Sequence, residues 1–320
     1  MRIAALSIIV LGAACSTAGK DQQGSPGSQA STAVAADTGS IPAGAFHLRY
    51  RIEGSGTPTI VIGSSIYYPR AFSPELRKSL RLVFLDTRGF APAPDHPVDT
   101  TAFALDSLLD DVERTRQQLG LGRVAVIGHS GHSYLALEYA KKYPANVSHV
   151  IMVGIAPILS EAHARARDQY WADSASAERK AIMAENLRRL PDEELAKRPP
   201  GQGFIDGYVR NAPKIWYDPG FNAAPLWEGV TVNMDMMNHV WGRIFRDIDI
   251  TQGLDRLPQP VLLLLGRFDF LLAPPSIWDP VRPKFKDLTV QIFEKSGHTP
   301  QYEEPALFDQ VLLDWMRAHP

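Results

Sequence analysis

The sequence predicts an α/β fold: a mostly parallel sheet flanked by helices and interrupted once by a mainly helical insertion. Three observations carry this expectation. Short, continuously apolar runs such as "RVAVIG" (123–128) and "PVLLLLG" (260–266) have the composition of strands buried on both faces. Between such runs lie segments with apolar residues at helical spacing, and this alternation is the mark of parallel strands joined by crossover helices. The alternation stops over residues 158–250, where aromatics are dense and no buried strand is evident.

In chain order, "FHLRYRIEG" (46–54) alternates apolar and polar residues, as a half-buried strand does, and Gly54-Ser55-Gly56 turns the chain after it. "TIVIGSS" (59–65) is a short apolar run closed by Gly and Ser, and "LRLVFLDTRGF" (80–90) is a strand entering a loop. "TAFALDSLLDDVERTRQQLG" (101–120) has helical spacing and stops at Gly120. Then come a strand at 123–128, a helix "YLALEYAKKYP" (134–144) ended by Pro144, and a strand "VSHVIMVG" (147–154). Past the insertion, 260–266 and "LTVQIF" (288–293) are strands, and "PALFDQVLLDWMRAH" (305–319) is the final helix. Residues 43–157 and 251–320 therefore form the two parts of one core, with 158–250 as a helical cap. Most cap aromatics, among them Tyr170, Trp171, Trp216 and Phe221, are expected to pack the cap's own interior.

The start of the chain is of another kind. "MRIAALSIIVLGAACS" has a positive Arg2, an apolar stretch over 3–14 and small residues at its end, the pattern of an export signal over 1–15. That stretch is shorter than the roughly 20 residues a membrane-spanning helix needs. Cys15, the single cysteine of the chain, closes "LGAAC", which resembles the lipobox of bacterial lipoproteins. Cys15 is thus a lipid-attachment candidate, and ordinary signal cleavage near residues 13–16 is the alternative. Residues 16–42 are Ser, Thr, Ala, Gly, Gln and Asp with little to bury, so a flexible linker is expected there. The expected location is the bacterial cell envelope, lipid-anchored on the periplasmic side, or the periplasm or medium.

A formal net charge of −2 with no basic stripe excludes nucleic acid as a partner. The nine histidines are scattered, with no H-E-x-x-H and no second cysteine, so no metal is expected. No dinucleotide-binding glycine fingerprint or P-loop occurs, so no cofactor is expected either. The expected partner is a small-molecule or short peptide substrate, and the membrane is reached only through the lipid anchor.

The chemistry is suggested by "GHSGHS" (128–133), where Gly128 stands two residues before Ser130 and Gly131 two before Ser133. A serine two residues after a glycine, at a sharp strand-to-helix turn, is the geometry of an activated nucleophile. Ser130 lies just past a strand, whereas Ser133 falls in the first turn of the following helix. Gly131, next to Ser130, is small enough for its N–H to serve an oxyanion hole. His132 occupies the place where a second glycine is usual, and is read as a packed structural histidine. A serine hydroxyl needs a base and a carboxylate to orient that base. "GRFDFLLAP" offers Asp269 beyond one strand, and "GHTPQYEEPALF" offers His298 beyond another, all on one edge of the sheet. Asp86 is the competing acid, expected to hydrogen-bond its own loop. The Glu303-Glu304 pair reads as a helix N-terminal turn.

These segments together resemble the α/β-hydrolase superfamily, over residues 45–157 and 250–320. The resemblance is to its capped branch with a serine nucleophile, which includes proline iminopeptidases, small-molecule esterases and carbon–carbon bond hydrolases. It implies the α/β-hydrolase fold, with Ser130 as nucleophile, His298 as proton shuttle and Asp269 as its orienting acid. It also implies one oxyanion donor from Gly131 and a second from the loop after "TIVIG", Ser64 N–H or, second, Ser65. The function so implied is a serine hydrolase cleaving an ester or amide through an acyl-enzyme. A proline iminopeptidase-type aminopeptidase is the alternative, with Glu185, Asp206 or Asp235 of the cap holding the substrate amine. A tethered, non-catalytic binding protein on the same fold is the second alternative.

Overall fold

The computed structural model describes residues 37–320. The expected export signal, Cys15 and most of the expected linker lie outside the described residues. The strands are β1 (Asp37–Ala43), β2 (Phe46–Glu53), β3 (Thr57–Gly63), β4 (Leu80–Asp86), β5 (Val124–His129), β6 (Val147–Val153), β7 (Val261–Gly266) and β8 (Leu288–Phe293). They form one sheet in the order β1-β2-β4-β3-β5-β6-β7-β8. β1 and β2 make an antiparallel hairpin, and β2 pairs antiparallel with β4. From β4 to β8 all neighbours are parallel, with Val61 opposite both Phe84 and Ile127 and Leu263 opposite Val290.

β1 corrects one expectation. Residues 37–42 belong to a strand rather than to a linker. "DTGSIPA" has almost no apolar signal of its own, and its stability comes from the ladder with β2 and from burial of Ile41 and Ala43. An edge hairpin held by a neighbouring strand is invisible to local composition.

Alternation along the strands sends side chains to two cores. Val124 and Val126 of β5 join the cluster under α2 (Leu105–Gln118) and α3 (His132–Lys142), while Ala125 and Ile127 join the cluster under α1 (Tyr67–Ala71) and the final helix Pro305–Ala318. β5 and β7 are buried at every position, which explains their apolar composition up to His129 at the end of β5. The helix expected over 101–120 is broken at Ala104, whose extended backbone separates a short 3-10 turn (Thr100–Phe103) from α2. Beneath them Arg88 donates from Nε and Nη2 to both oxygens of Asp111 (2.6 and 2.8 Å), a buried two-pronged pair tying the loop after β4 to α2.

Between β6 and β7 the chain forms helices only. α4 (Glu161–Ser174) and α5 (Ala177–Arg189) are capped by Ser160 and Ser176, whose side chains accept the N–H of His163 and Arg179. The helices Pro200–Arg210 and Met234–His239 follow, the latter running into a π-helical turn, Val240–Ile244. Arg179 is buried without a carboxylate partner and donates instead to the carbonyls of Pro213 and Trp216 (2.8 and 2.7 Å) and of Tyr217. Its guanidinium lies near the rings of Phe268 and Phe270, so it pins the insertion to the loop after β7.

Candidate active site

The site is built where four parallel strands end. Ser64 follows β3, Ser130 follows β5, Asp269 lies in the loop after β7, and His298 lies in the loop after β8. Ser130 has φ +57°, the one positive value among described residues that are not glycine. A left-handed serine is costly and persists only where its surroundings fix it. Here Ser130 N–H donates to Val153 O (2.8 Å), and Ser130 O accepts Ser133 N–H (2.9 Å). Gly128 makes the turn possible: a Cβ there would stand 2.2 Å from His132 O, where α3 crosses back over β5.

Ser133 and His132 are accounted for by packing. Ser133 lies in the first turn of α3, is fully buried, and donates from Oγ to Gly128 O at 2.8 Å. It is a brace of the turn. His132 is buried among the rings of Phe90 and Tyr68, with Nδ1 3.3 Å from His129 O. Burial pulls its pKa down to about 4, so the imidazole is neutral at physiological pH.

His298 Nδ1 lies 2.6 Å from Asp269 Oδ2, both side chains being buried. With Nδ1–H donating to the carboxylate, Nε2 is left as an acceptor. The second oxygen of Asp269 accepts Leu271 N–H at 3.1 Å. The acid loop is held from the insertion: Ala273 N–H donates to His163 Nε2 (3.2 Å), and the Tyr170 hydroxyl donates to Arg267 O (2.6 Å).

The backbone around His298 is fixed on every side by groups that the sequence reading did not assign to the site. His298 N–H donates to Ile215 O at 2.5 Å. His298 O is 2.8 Å from Nε2 of His129, the residue before Ser130. A carbonyl only accepts, so His129 Nε2 carries the proton, and Nδ1 is free to accept from the Tyr68 hydroxyl at 3.2 Å. Burial holds the pKa of His129 well below the usual histidine range, consistent with this neutral form. Glu303 accepts the N–H groups of Gly297 (2.9 Å), Thr299 (3.1 Å) and Tyr217 (2.6 Å). Burial pushes its carboxyl up to about 7, against the pull of those three donors. Glu304 accepts Lys295 N–H (3.0 Å) and the Ser296 hydroxyl (2.7 Å). The paired glutamates therefore turn back on the loop that carries His298 and do not serve the helix N-terminus. A charge pattern alone does not show which way such side chains fold.

Ser64 and Ser65 separate clearly. Ser65 N–H donates to Asp86 Oδ1 at 2.6 Å and is spent there, while Asp86 Oδ2 accepts Arg49 Nε at 2.6 Å. Asp86 thus ties the loop after β3 to β2; it bonds the neighbouring loop rather than its own. Ser64 lines the same cavity as Ser130 and His298. Its N–H, like that of Gly131, has no partner among the described residues. Ser64 Oγ accepts the N–H of Ile66 (3.3 Å) and Tyr67 (3.1 Å), which fixes the turn.

The cavity encloses about 60 Å³ between these residues and the aromatic walls Tyr67, Tyr68, Phe90, Phe204, Tyr208, Trp227 and Trp241. One water needs about 10–15 Å³ by this measure, so the space suits a short acyl chain. Several cap aromatics are therefore walls of the site, while Trp216 and Phe245 are core. Gly131 accommodates this roof, since a Cβ on it would meet Phe245 and Trp241 at 2.5 Å. No Asp, Glu, Lys or Arg lines the cavity. Glu185 pairs with Arg188 and Arg189, Asp206 with Gln202 and Arg198, and Asp235 is exposed. A larger groove of about 780 Å³ on the insertion, lined by Arg189, Asp206 and Glu228 among others, contains neither Ser130 nor His298. Ser130 and His298 both line the smaller space. Among the described residues no group of three or more His, Cys, Asp or Glu is arranged to hold a metal ion.

Comparison with known proteins gives a consistent result. Residues 56–305 match the model of the alpha/beta hydrolase fold family. The chain is 41% identical over 271 residues to the AB hydrolase superfamily protein YclE of Bacillus subtilis (strain 168), covering 85% of this chain and 95% of that one. It is 29% identical over 289 residues to a proline iminopeptidase of Heyndrickxia coagulans, covering 83% and 92% respectively. The crystal structure of a proline iminopeptidase from Mycobacterium smegmatis superposes with a TM-score of 0.65 at 17% identity, over 88% of this chain and 98% of that one, a likeness of fold.

Proposed function

This chain belongs to the α/β-hydrolase family, and from that premise we propose that it is a serine esterase acting on small, uncharged acyl substrates. The observation that carries the reading is a strained Ser130 in one cavity with His298, whose other ring nitrogen is bonded to buried Asp269. In this mechanism Ser130 Oγ attacks the ester carbonyl carbon while His298 Nε2 takes the hydroxyl proton, and the Asp269 carboxylate stabilises the imidazolium. The oxyanion is received by the N–H groups of Gly131 and Ser64, each worth on the order of 3–4 kcal/mol in the transition state. The C–O bond then breaks, and the alcohol leaves with the proton from His298. Water attacks the acyl-enzyme, gives its proton to His298, and Ser130 is restored with release of the acid.

Amide hydrolysis uses the same steps with a poorer leaving group. An aminopeptidase reading is favoured by the Heyndrickxia coagulans relative. It needs a carboxylate to hold a charged amine, and none lines the cavity, so burying an ammonium there would go uncompensated. The first test treats the protein with a fluorophosphonate and then assays p-nitrophenyl butyrate and proline β-naphthylamide. A single adduct on Ser130, lost in His298→Ala, together with preferred turnover of the ester, is expected. Preferred turnover of the prolyl amide would install the aminopeptidase reading. A folded protein with neither adduct nor turnover would leave a binding role. Export with lipid attachment at Cys15 is part of the same proposal, tested by radiolabelled palmitate incorporation that Cys15→Ser abolishes.

A further inference from the structure

The loops after β3, β5 and β8 are joined by one buried hydrogen-bonded relay that runs from Tyr68 through His129 to the backbone of His298. His129 is the residue before Ser130, and its Nε2–H donates to His298 O at 2.8 Å. No other donor among the described residues meets that carbonyl, and His298 is 3% exposed, so water does not readily replace the bond. The Tyr68 hydroxyl donates to His129 Nδ1 at 3.2 Å and so favours the tautomer that carries its proton on Nε2. Tyr68 in turn is seated on the loop that bears Ser64. Its N–H donates to Ser64 O (3.3 Å), and its ring lies so close to Gly63 that a Cβ there would stand 2.1 Å from Cε2.

Where the relay sits decides what it does. The reaction needs Ser130 Oγ, His298 Nε2 and the oxyanion donors in register, and a displacement on the order of 1 Å is enough to cost about a hundredfold in rate. The bond to Asp269 orients the ring of His298, whereas the distance of that ring from Ser130 follows from where the backbone lies. The bond from His129 spans the reacting pair directly. One end is attached to the residue next to the nucleophile, and the other meets the carbonyl of the base itself. Both ring nitrogens of His129 are engaged in the relay, so neither is left for substrate chemistry. We propose that His129, with its tautomer set by Tyr68, is a positioning residue that holds His298 in register with Ser130 and with the loop bearing Ser64. This deepens the esterase reading and rests on it.

The test asks which nitrogen of His129 matters. Glutamine places its side-chain amide nitrogen where Nε2 stands, and asparagine places it where Nδ1 stands. Both substitutions take the imidazole from the cavity wall, so the bond to His298 O is what separates them. With p-nitrophenyl butyrate, His129→Asn is expected to lose roughly ten- to a hundredfold in kcat, and His129→Gln to recover to within about threefold of wild type, the two sharing similar KM values. Tyr68→Phe keeps the ring and should lower kcat roughly threefold alone, and no further when added to His129→Asn, as members of one relay require. Each variant is checked for folding by thermal unfolding. Equal kcat in the Gln and Asn variants, or losses that multiply when Tyr68→Phe is added to His129→Asn, overturns the positioning role. Absence of both turnover and a fluorophosphonate adduct in the wild type sinks the esterase reading instead. Positioning is then read in the resting protein from the downfield proton NMR signal of His298 Nδ1–H, which Asp269 holds. A shift and broadening of that signal in His129→Asn but not in His129→Gln upholds the positioning role, and the same signal in wild type and both variants refutes it.

Discussion

Glu303→Ala tests whether the loop carrying His298 must be held from outside. The carboxylate accepts three backbone N–H groups, from Gly297 and Thr299 on either side of His298 and from Tyr217 of the insertion. Hydrogen bonds to a charged acceptor are worth roughly 1.5–3 kcal/mol each when buried. Glu303 is partly exposed on the side of Lys295 and Tyr217, so water replaces some of what is lost, and about 1 kcal/mol per bond is the appropriate figure. The variant should therefore be destabilised by about 3 kcal/mol in urea unfolding at pH 5, below the carboxyl's raised pKa of about 7, and by less at pH 8, where keeping the buried carboxylate ionised already costs the native state stability. If a third of that appears as lost orientation of the imidazole, kcat for p-nitrophenyl butyrate falls roughly fivefold. KM should barely move, because Glu303 does not line the cavity. Glu303→Gln keeps an acceptor oxygen and should fall between the two. Stability and kcat both within error of wild type would refute the clamp, as would a rise in KM with kcat unchanged.

Three other outcomes are expected. Asp269→Asn keeps the shape of the acid but presents an amide to His298, favouring the tautomer whose Nε2 is already protonated; kcat should drop on the order of 10³–10⁴-fold in steady-state assays, with folding intact. Gly128→Ala places a methyl 2.2 Å from His132 O and 2.5 Å from Ser133 Cα, backbone atoms that cannot rotate away, so a loss of about 3 kcal/mol or failure to fold is expected by calorimetry. His132 gains its proton near its ordinary value of 6.5 when unfolded but only near 4 when buried, so stability is full above that ordinary value and falls as pH drops from there towards 4. Between pH 7 and 5 this group alone costs about 2 kcal/mol, and His132→Gln should remove that much of the pH dependence seen in urea titrations.

Much of this protein can be read along the chain. Uniformly apolar runs at 123–128 and 260–266 announce a sheet covered on both faces, because a strand buried on two sides has no polar face to show. Gly128 and Ser130 announce the turn, because the crossing of α3 over β5 tolerates no side chain at residue 128. Asp269 and His298 fall past strand ends by order alone, since chirality and connection rules put every parallel strand's carboxyl end on one edge. What the tertiary structure decided are facts about direction and pairing. β1 exists because β2 lies beside it, not because "DTGSIPA" favours a strand. Ser65 is excluded because Asp86, 21 residues later, reaches its N–H. Glu303 serves His298 because a short helix, Pro300–Glu303, folds it back, and the cap's carboxylates turn to surface arginines or solvent, leaving an uncharged cavity. Side-chain orientation in loops and helical insertions is set by partners far away in the chain, which no local period of the sequence encodes.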